Sequence, residues 1–282
     1  MLDNFNVTNQ DKGVRIYYAS GSSAWQTWSK PRNCRQVYIV CIGGASSGFS
    51  ATDINIGGRG GASAAITNAL YNADVIPDTL YVLPGLGGLP NSTAVNSFNP
   101  GTRSFVSLKP SSATAMNLIC TSGSAAASGA TGETATNIFS VPLLKSAYWS
   151  STAGVAPPSV GIGITGDVIP LVGSILCPGA SGASSTSTPG GSILSVTLGT
   201  FLTPVIGGSY GNGDDGIWFW SPSPFGLGGS GGAGFQEVGT GGNGGNGAYG
   251  CGGGGAGNGT GPGGVVATGG KGGDGLVIIV SI

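Results

Sequence analysis

The stretch "GTGGNGGNGAYGCGGGGAGNGTGPGG", residues 239–264, decides which kind of fold this chain can form. Glycine loses more conformational entropy on folding than any other residue, and it buries no side chain. Shortly after the run comes the apolar segment "GLVIIVSI", residues 275–282, which needs a sheet to bury it. A flexible linker at this place would have little to connect. The sequence therefore favours an ordered, extended structure for the glycine run over a disordered linker.

Glycine recurs in this run at every third position from Gly241 to Gly253, and the spacing returns from Gly269 to Gly275. Three residues per turn is the period of a polyproline-II type helix, which has no internal hydrogen bonds. Where several such helices pack, faces without side chains can touch, and backbone N–H and C=O groups can pair between helices. The period breaks at Ala256 and proline is scarce in the run, so we do not expect a collagen triple helix.

The composition of the whole chain also argues against disorder. Of the 282 residues 58 are glycine and only 7% are charged, whereas about 25% are charged in typical proteins. Disordered chains combine low hydrophobicity with high net charge. Here hydrophobic residues make up 39% of the chain and the net charge is −1. We therefore expect one folded architectural unit.

Short apolar strands alternate along the chain with glycine- or serine-rich segments. Val14, Ile16 and Tyr18 alternate with Arg15 and Tyr17, which is typical of a half-buried strand. Further strands are predicted within 24–31, 37–42, 80–83, 101–110 and 275–282, and at the start of 115–132.

The fold class predicted from these patterns is all-β. We expect a β-sandwich or jelly-roll-like fold with glycine-rich extended, polyglycine-II-like segments and little helix, because helix-favouring residues are scarce. Only 62–73 and 141–151 show weak helical character. Three parts are expected: an N-terminal β part at 1–105, an uncharged insertion rich in Ser, Thr and Ala at 106–204, and a glycine-rich segment with a closing strand at 205–282.

The chain lacks the side chains that acid–base catalysis and metal binding usually need. It has no histidine, the commonest general acid or base near neutral pH, and its only glutamates are Glu133 and Glu237. Asp214 and Asp215 are adjacent in sequence, whereas a glycan-cleaving spike would need two carboxylates facing each other across a cleft. We therefore expect no enzyme activity, no cofactor and no metal site.

The five cysteines form no CxxC pair, and there is no histidine to complete a mixed site, which argues against a zinc site. The N-terminal sequence "MLDNFNVTNQDKG" lacks the pattern of a signal peptide. We expect reduced, mostly buried cysteines in a protein made in a cytoplasm. No apolar run approaches the about 20 residues of a membrane span, so no membrane insertion is expected.

Basic residues are few but concentrated near the N-terminus. The near-neutral net charge argues against nucleic acid as a partner, because phosphate binding needs clustered Lys and Arg. Two interpretations stay open for the local excess: a solvated surface or subunit contact, or a site for an anionic ligand or particle surface. The residues concerned are Lys12, Arg15, Lys30, Arg32 and Arg35.

Aromatic residues concentrate between two glycine clusters in "GNGDDGIWFWSPSPFGLGG", residues 211–229. Exposed aromatic rings supply contact area at low entropic cost, so this segment is the best candidate for binding a receptor. The alternatives are a core or subunit interface for the rings and an ordinary turn for the two aspartates. The candidate residues are Asp214, Asp215, Ile217, Trp218, Phe219, Trp220 and Phe225.

A second candidate binding segment is "SAYWSS", residues 146–151, which contains Tyr148 and Trp149. Core packing is the alternative explanation for these two rings. Trp25 and Trp28 lie in a predicted strand and are expected to be structural.

Three stretches of the chain combine apolar strands with glycine clusters. The stretch "AWQTWSKPRNCRQVYIVCIGGASSG" contains a W-x-x-P strand followed by an apolar strand and a first glycine cluster. The stretch "TLYVLPGLGG" contains a strand with GxGG, and "GGGGAGNGTGPGGVVATGGKGGDGLVIIVSI" contains a glycine tract and a last strand. Together they resemble the glycine-rich domain found in bacteriophage structural proteins. The resemblance covers roughly 14–105 and 205–282, and no motif is matched in 106–204.

This resemblance implies a virion structural protein of a fibre or spike, placed at the virion surface after synthesis in the host cytoplasm. Loops between the glycine segments would bind a host receptor, either a glycan or an outer-membrane protein. Other virion proteins would be partners. A homo-oligomer is expected, since apolar strands and low charge favour buried subunit surfaces, and a trimer is implied by the resemblance alone. The alternative is a capsid-bound decoration or head-fibre protein with a purely structural role, docked through the basic residues.

Overall fold

The computed structural model describes most of the chain, and the statements below concern its described residues. These are 13–21, 24–51, 56–90, 98–112, 118–122, 148–149, 156, 158, 163, 166–167, 176–185, 187–194, 205–209, 211–220, 225–234, 241–259 and 267–282. They form strands, extended segments and a short 3-10 turn at Ala73–Val75, so the all-β prediction is confirmed. In this part of the chain no helix has the length and hydropathy to span a membrane.

The first sheet contains strands from both ends of the chain. Its members are β1 (Val14–Tyr18), β3 (Gln36–Ile42), β4 (Ile66–Asn72), β8 (Tyr148–Trp149) and β13 (Leu276–Ser281). Their order is β1-β13-β3-β4-β8, and all neighbours are antiparallel. The apolar C-terminal segment thus lies in the sheet interior between β1 and β3, where both of its edges are paired.

The second sheet contains the remaining longer strands. They are β2 (Gln26–Ser29), β5 (Thr79–Leu83), β6 (Ser104–Ser107) and β7 (Leu118–Ser122), and their order is β2-β5-β6-β7. Two short pairs complete the described strands: β9 (Gly166–Asp167) with β10 (Ile193–Leu194), and β11 (Trp218–Phe219) with β12 (Phe225–Gly226).

The two sheets pack face to face and enclose the main apolar core, as in a β-sandwich. Alternate residues of β3, β4, β5 and β13 point into this core, because side chains of a strand have a period of two. Each contributing side chain is at most 2% exposed; they include Trp28, Val37, Ile39, Cys41, Ala69, Tyr71, Leu80, Val82, Val106, Val277 and Ile279. Trp28 is therefore structural, as the sequence indicated.

The predicted strands agree with these bounds. The weak helical expectation at 62–73 is wrong, because β4 pairs with β3 over its whole length from Ile66 to Asn72. Of the second weak helical segment, 141–151, only 148–149 is described, and it is strand. In β1, Tyr17 packs against the sandwich core, while Val14 and Ile16 pack on the opposite face of the sheet.

Beyond the sandwich, the strands continue directly into extended glycine-rich segments. β3 runs into 43–51, 56–65 leads into β4, and 267–275 leads into β13. The second sheet supplies 84–90 after β5 and 98–103 before β6. Further segments at 176–185, 187–192, 205–209, 211–217, 227–234 and 241–258 pack beside these.

Segment 43–51 shows the rule by which the extended segments pair. Its N–H groups at 43, 46 and 49 donate to carbonyls of segment 56–65, and those at 44 and 47 donate to segment 98–103. The N–H groups at 45, 48 and 51 donate to segment 267–275. Every third residue returns to the same neighbour, which is the pairing expected of a helix with three residues per turn and no internal hydrogen bonds. This is the polyglycine-II arrangement.

The central segment, 251–258, is surrounded on all sides by other segments. Every N–H from 252 to 258 donates to another segment, and every carbonyl from 251 to 256 accepts a hydrogen bond from one. Because an unpaired buried backbone group is costly, this complete pairing is what makes a buried glycine segment possible. The partners are six segments: 43–51, 56–65, 176–185, 227–234, 241–248 and 267–275.

Glycine is required in this lattice because the backbones approach too closely for a side chain. A methyl group on Gly253 would overlap the carbonyl oxygen of Gly270, and one on Gly254 would overlap that of Ser230. Where a side chain does fit, it is small and bonded. The hydroxyl of Ser230 donates to the carbonyl of Ile206 at 2.6 Å and accepts the N–H of Asp214 at 2.6 Å.

The described part of the glycine run, 241–259, therefore contains a hairpin of two threefold extended segments, 241–248 and 251–258. The N–H of Cys251 donates to the carbonyl of Ala248 at 2.8 Å, and Gly250 between them has φ +69°. Such a φ at the third residue of a turn favours glycine. The turn lies against the outer face of the first sheet, where Cys251 is buried among apolar side chains. Burial raises the pKa of the Cys251 thiol well above its ordinary value, with a smaller contribution from Cys177.

Described residues of the predicted insertion, 106–204, occur in both parts of the molecule. β7 is an edge strand of the second sheet, β8 is an edge strand of the first, and segment 176–185 is a direct neighbour of the central segment. The division into parts at 105/106 and 204/205 stays a prediction.

Candidate functional site

One face of the lattice displays side chains in a regular grid. It is built from three similar stretches, "NGDDGIW" (212–218), "NGGNGAY" (243–249) and "TGGKGGD" (268–274). Every third residue of each stretch points outward and is exposed or half-buried. We call this surface the ladder face; its residues are Asn212, Asp215, Trp218, Asn243, Asn246, Tyr249, Thr268, Lys271 and Asp274.

Parallel backbone pairing holds the three stretches in register. The N–H groups at 213 and 216 donate to the carbonyls at 243 and 246, and those at 244, 247 and 250 donate to the carbonyls at 268, 271 and 274. The outward residues of neighbouring stretches therefore stand side by side. Along each stretch they repeat at about 9 Å, three times the rise of such a helix.

The outward asparagine and aspartate side chains close the edge of the lattice. Asn212 Oδ1 accepts the N–H of Asn243 at 2.8 Å, and Asn243 Oδ1 accepts that of Thr268 at 2.8 Å. In the next row, Asp215 Oδ1 accepts the N–H of Asn246 at 2.7 Å, and Asn246 Oδ1 accepts that of Lys271 at 2.8 Å. These oxygens take the place of the carbonyls that a further lattice layer would supply.

In the last row of the grid, aromatic rings replace the amides. The rings of Trp218 and Tyr249 meet edge to face at 5.6 Å between centroids. Trp220 lies 5.5 Å from Trp218, and Tyr18 of β1 lies 5.5 Å from Tyr249. Tyr18 and Trp220 are 43% and 42% exposed. These four rings, the aromatic row, form an apolar surface beside the polar rows.

A shallow groove of about 340 Å³ runs between the amides and the aromatic row. Its side-chain lining is Trp218, Asn246, Tyr249, Lys271 and Asp274, and its floor is glycine backbone. Lys271 Nζ pairs with Asp274 Oδ2 at 2.8 Å, so the groove carries no net charge from these two groups. Partial burial, followed by the nearby Tyr18 and Asp274, raises the pKa of Tyr249, which keeps its phenol neutral.

The structure brings part of the predicted 211–229 site to this face. Asp215, Trp218 and Trp220 lie on it or beside it. Asp214 is exposed, but its backbone N–H and C=O are bonded to Ser230. Ile217 is 37% exposed.

Two other predicted residues lie apart from the groove or outside what can be described. Phe219 packs against a separate apolar cluster that includes Cys177 and Leu227. Phe225 pairs with Phe219 through the β11–β12 ladder, and its side chain lies outside the described part. The same holds for the side chains of Tyr148 and Trp149, whose backbone forms β8.

The predicted basic group does not form one cluster among the described residues. Lys30 is held by the carbonyls of Ala73 and Ile76, at 3.2 and 2.7 Å, and by Asp78 at 3.0 Å. Arg32 and Arg35 are exposed in and after the turn between β2 and β3, and Arg15 is exposed on β1. Lys12 lies outside the described residues.

Sequence reasoning missed the residues that complete the groove, namely Asn246, Tyr249, Lys271 and Asp274. The glycine positions alone predict the period of three, but they do not identify the side chains that this period places outward. The non-glycine residues of the three stretches share that period, and this spacing was the signal that could have revealed the face.

The ion pair between Lys271 and Asp274 is internally satisfied. The other polar groups of the ladder face are the asparagine amides, the Asp215 carboxylate, the Thr268 hydroxyl and the Tyr249 phenol, so the face offers a ligand both donors and acceptors of hydrogen bonds. Among the described residues, no group of three His, Cys, Asp or Glu side chains is placed to hold a metal ion.

The family model of the glycine-rich domain matches residues 19–281, nearly the whole chain. The chain therefore belongs to the glycine-rich domain family. No curated protein matches it.

Proposed function

We propose that this chain is a structural protein of a bacteriophage fibre or spike, and that it binds a receptor on the host surface through the ladder face. The observation that supports this is the aromatic row, where two rings more than 40% exposed stand beside a groove on a lattice of paired backbones. Exposed apolar groups at this density favour a binding surface.

The construction of the lattice supports a binding surface that is organised before its ligand arrives. Each outward side chain stands on a backbone that is hydrogen-bonded to its neighbours on both sides. A site fixed in advance loses little conformational entropy on binding. Stiffness of this kind suits a domain at the end of an appendage that must hold its binding surface in place.

The likeness of the three quoted stretches to glycine-rich domains of bacteriophage structural proteins gives the proposal its setting. In that setting the chain is displayed at the virion surface, as a homo-oligomer attached to other virion proteins. Neither nucleic acid nor a membrane is a partner in this proposal.

Localisation on the source particle tests the proposal. Cryo-electron microscopy of particles labelled with an antibody against this chain should place the label at the end of a fibre or spike. A label spread over the capsid shell, or absent from every particle, would contradict it.

A purely structural role as a capsid decoration or head-fibre protein is the second candidate. It is favoured by the exposure of Arg32 and Arg35, which are free to meet an acidic particle surface. Charge reversal in the double variant Arg32→Glu/Arg35→Glu should then release the protein from particles. Under the receptor-binding proposal the same variant stays on the particle, and substitutions in the aromatic row impair cell attachment instead.

A further inference from the structure

We propose that the groove of the ladder face binds an uncharged oligosaccharide, with a sugar ring packed on the aromatic row and its hydroxyls bonded to Asn246, Lys271 and Asp274. The inference rests on the proposed function and names the chemistry of the receptor. It moves the binding site from the 211–229 segment alone to a surface shared by three lattice segments.

Hydrogen-bonding capacity is the first argument. Asn246 Oδ1 is occupied by the N–H of Lys271, so its Nδ2 group faces outward as a donor. Lys271 Nζ uses one of its three N–H donors on Asp274, and Asp274 Oδ1 accepts the N–H of Gly87 at 2.8 Å. Donors and acceptors thus alternate over a short distance. Sugar hydroxyls, which both donate and accept, match that alternation.

Charge is the second argument. Lys271 and Asp274 neutralise each other across 2.8 Å, and the amides of Asn243 and Asn246 are uncharged. An anionic sugar would meet no unpaired cation in the groove and would face Asp215 at its edge. The groove therefore favours a neutral chain over an acidic one.

The aromatic row is the third argument. The faces of aromatic rings carry negative partial charge, and they attract groups with positive partial charge such as the C–H groups of a sugar ring. Trp220 and Tyr18 offer their exposed surface at either end of the Trp218–Tyr249 pair.

The backbone pairing argues against an extended peptide as the ligand. A peptide that adds to an edge needs free N–H and C=O groups on that edge. On the ladder face the outward N–H groups at 243, 246, 268 and 271 already donate to side-chain oxygens, and the carbonyls at 243, 246, 268, 271 and 274 accept backbone hydrogen bonds. On these two stretches, 243–249 and 268–274, what remains for a ligand is side-chain chemistry.

An array of immobilised neutral and acidic oligosaccharides, probed with the purified full chain, tests the inference. We expect retention on at least one neutral oligosaccharide, with competition by the same sugar in solution. Trp220→Ala should weaken that binding about tenfold or more, because it removes an exposed aromatic ring of the binding surface. Asn246→Asp keeps the oxygen that the lattice needs but removes the Nδ2 donor, so it should weaken binding without loss of folding. Val75→Ala is the control, because Val75 is 42% exposed and follows the end of β4 that points away from the lattice.

Binding to acidic sugars alone, or to no sugar, would overturn the inference. So would an affinity for the neutral sugar that is the same in Trp220→Ala and Asn246→Asp as in the unchanged protein. These outcomes are separate from those for the proposed function. A fibre-tip location without sugar binding would support the proposed function and contradict the inference that the receptor is a neutral oligosaccharide. Sugar binding by a chain found on no particle would support the saccharide site and contradict the proposed function.

Discussion

The sandwich and the lattice are both well buried, yet different forces hold them together. In the sandwich, the backbone of each strand pairs within the plane of its sheet. Side chains such as Ile39 and Val277 extend from the inner face of the first sheet into an apolar core. In the lattice, the period of three turns each successive N–H toward a different neighbour. The backbone is then surrounded by other backbones, and little room is left for side chains.

This difference in pairing sets which residues each region can accept. The sandwich core is stabilised by removal of apolar surface from water, and it responds to changes in side-chain volume. The centre of the lattice is stabilised by complete hydrogen bonding of a backbone that water cannot reach. There the first carbon of any side chain is already too large.

The largest effect should come from a single methyl group at the lattice centre. Gly253→Ala places Cβ on the carbonyl oxygen of Gly270, and neither backbone can move without breaking its own hydrogen bonds. We expect the free energy of unfolding to fall by more than about 4 kcal/mol, which is exceptional for one substitution. Urea denaturation of purified protein measures this.

Gly211→Ala is the matched control, because a Cβ at Gly211 meets nothing within 4 Å. It should change stability by no more than about 0.5–1 kcal/mol. Equal effects of the two substitutions would show that 251–258 is not packed as described.

The next largest effect is expected in the sandwich. Ile39→Ala leaves a cavity in the apolar core, where Ile39 is 0% exposed, and should cost about 2–5 kcal/mol in urea denaturation.

Since β3 continues into segment 43–51, we expect both regions to unfold in one transition. The thiols of Cys41 in the sandwich and Cys251 in the lattice, both buried, should become reactive toward an alkylating reagent at the same urea concentration. Labelling of Cys251 at a much lower urea concentration than Cys41 would show that the lattice and the sandwich unfold independently.

A smaller loss is expected at the junction of the two regions. The hydroxyl of Ser104 accepts the buried N–H of Gly85 at 2.8 Å and donates to the carbonyl of Ile42 at 2.6 Å. Ser104→Ala leaves both groups without this partner and should cost about 1–3 kcal/mol. Ser29→Ala, at an exposed position of β2, serves as control and should leave the urea midpoint nearly unchanged.

The smallest effect should come from the edge of the lattice. Asn243 Oδ1 accepts both the N–H and the hydroxyl of Thr268, at 2.8 and 3.1 Å. Asn243→Leu removes this acceptor at an exposed position and should cost about 0.5–1.5 kcal/mol. Asn243→Asp keeps an acceptor and should cost less. If both variants match the unchanged protein in thermal unfolding, the amide ladder does not stabilise the edge.

The sandwich could be predicted from sequence because its signals are local. The apolar stretches 37–42 and 80–83 mark β3 and β5 nearly to the residue, since strand patterns depend on side chains that alternate with a period of two. The helical expectation at 62–73 failed because alanine-rich sequence is ambiguous by itself, and pairing with β3 decided the outcome.

For the lattice, the conformation of the segments could be predicted from sequence, but their arrangement could not. The glycine period indicates threefold extended segments, but it does not say which segments become neighbours. Segment 251–258 is bonded to 43–51 and 176–185, which lie far away in sequence and carry alanine and serine as well as glycine. For the same reason, only part of the candidate site could be predicted from sequence. Trp218 and Trp220 stand out by composition. Asn246 and Lys271 come together only through the pairing of segments that are separate in sequence.

Amide hydrogen exchange over residues 241–258 tests the central claim most directly. In a lattice that is hydrogen-bonded on every side, the N–H groups from 252 to 258 exchange as slowly as those of β3 and β13, although no large side chain covers most of them. We expect that protection. Exchange of this segment at the rate of an unstructured peptide, with β3 and β13 still protected, would contradict it.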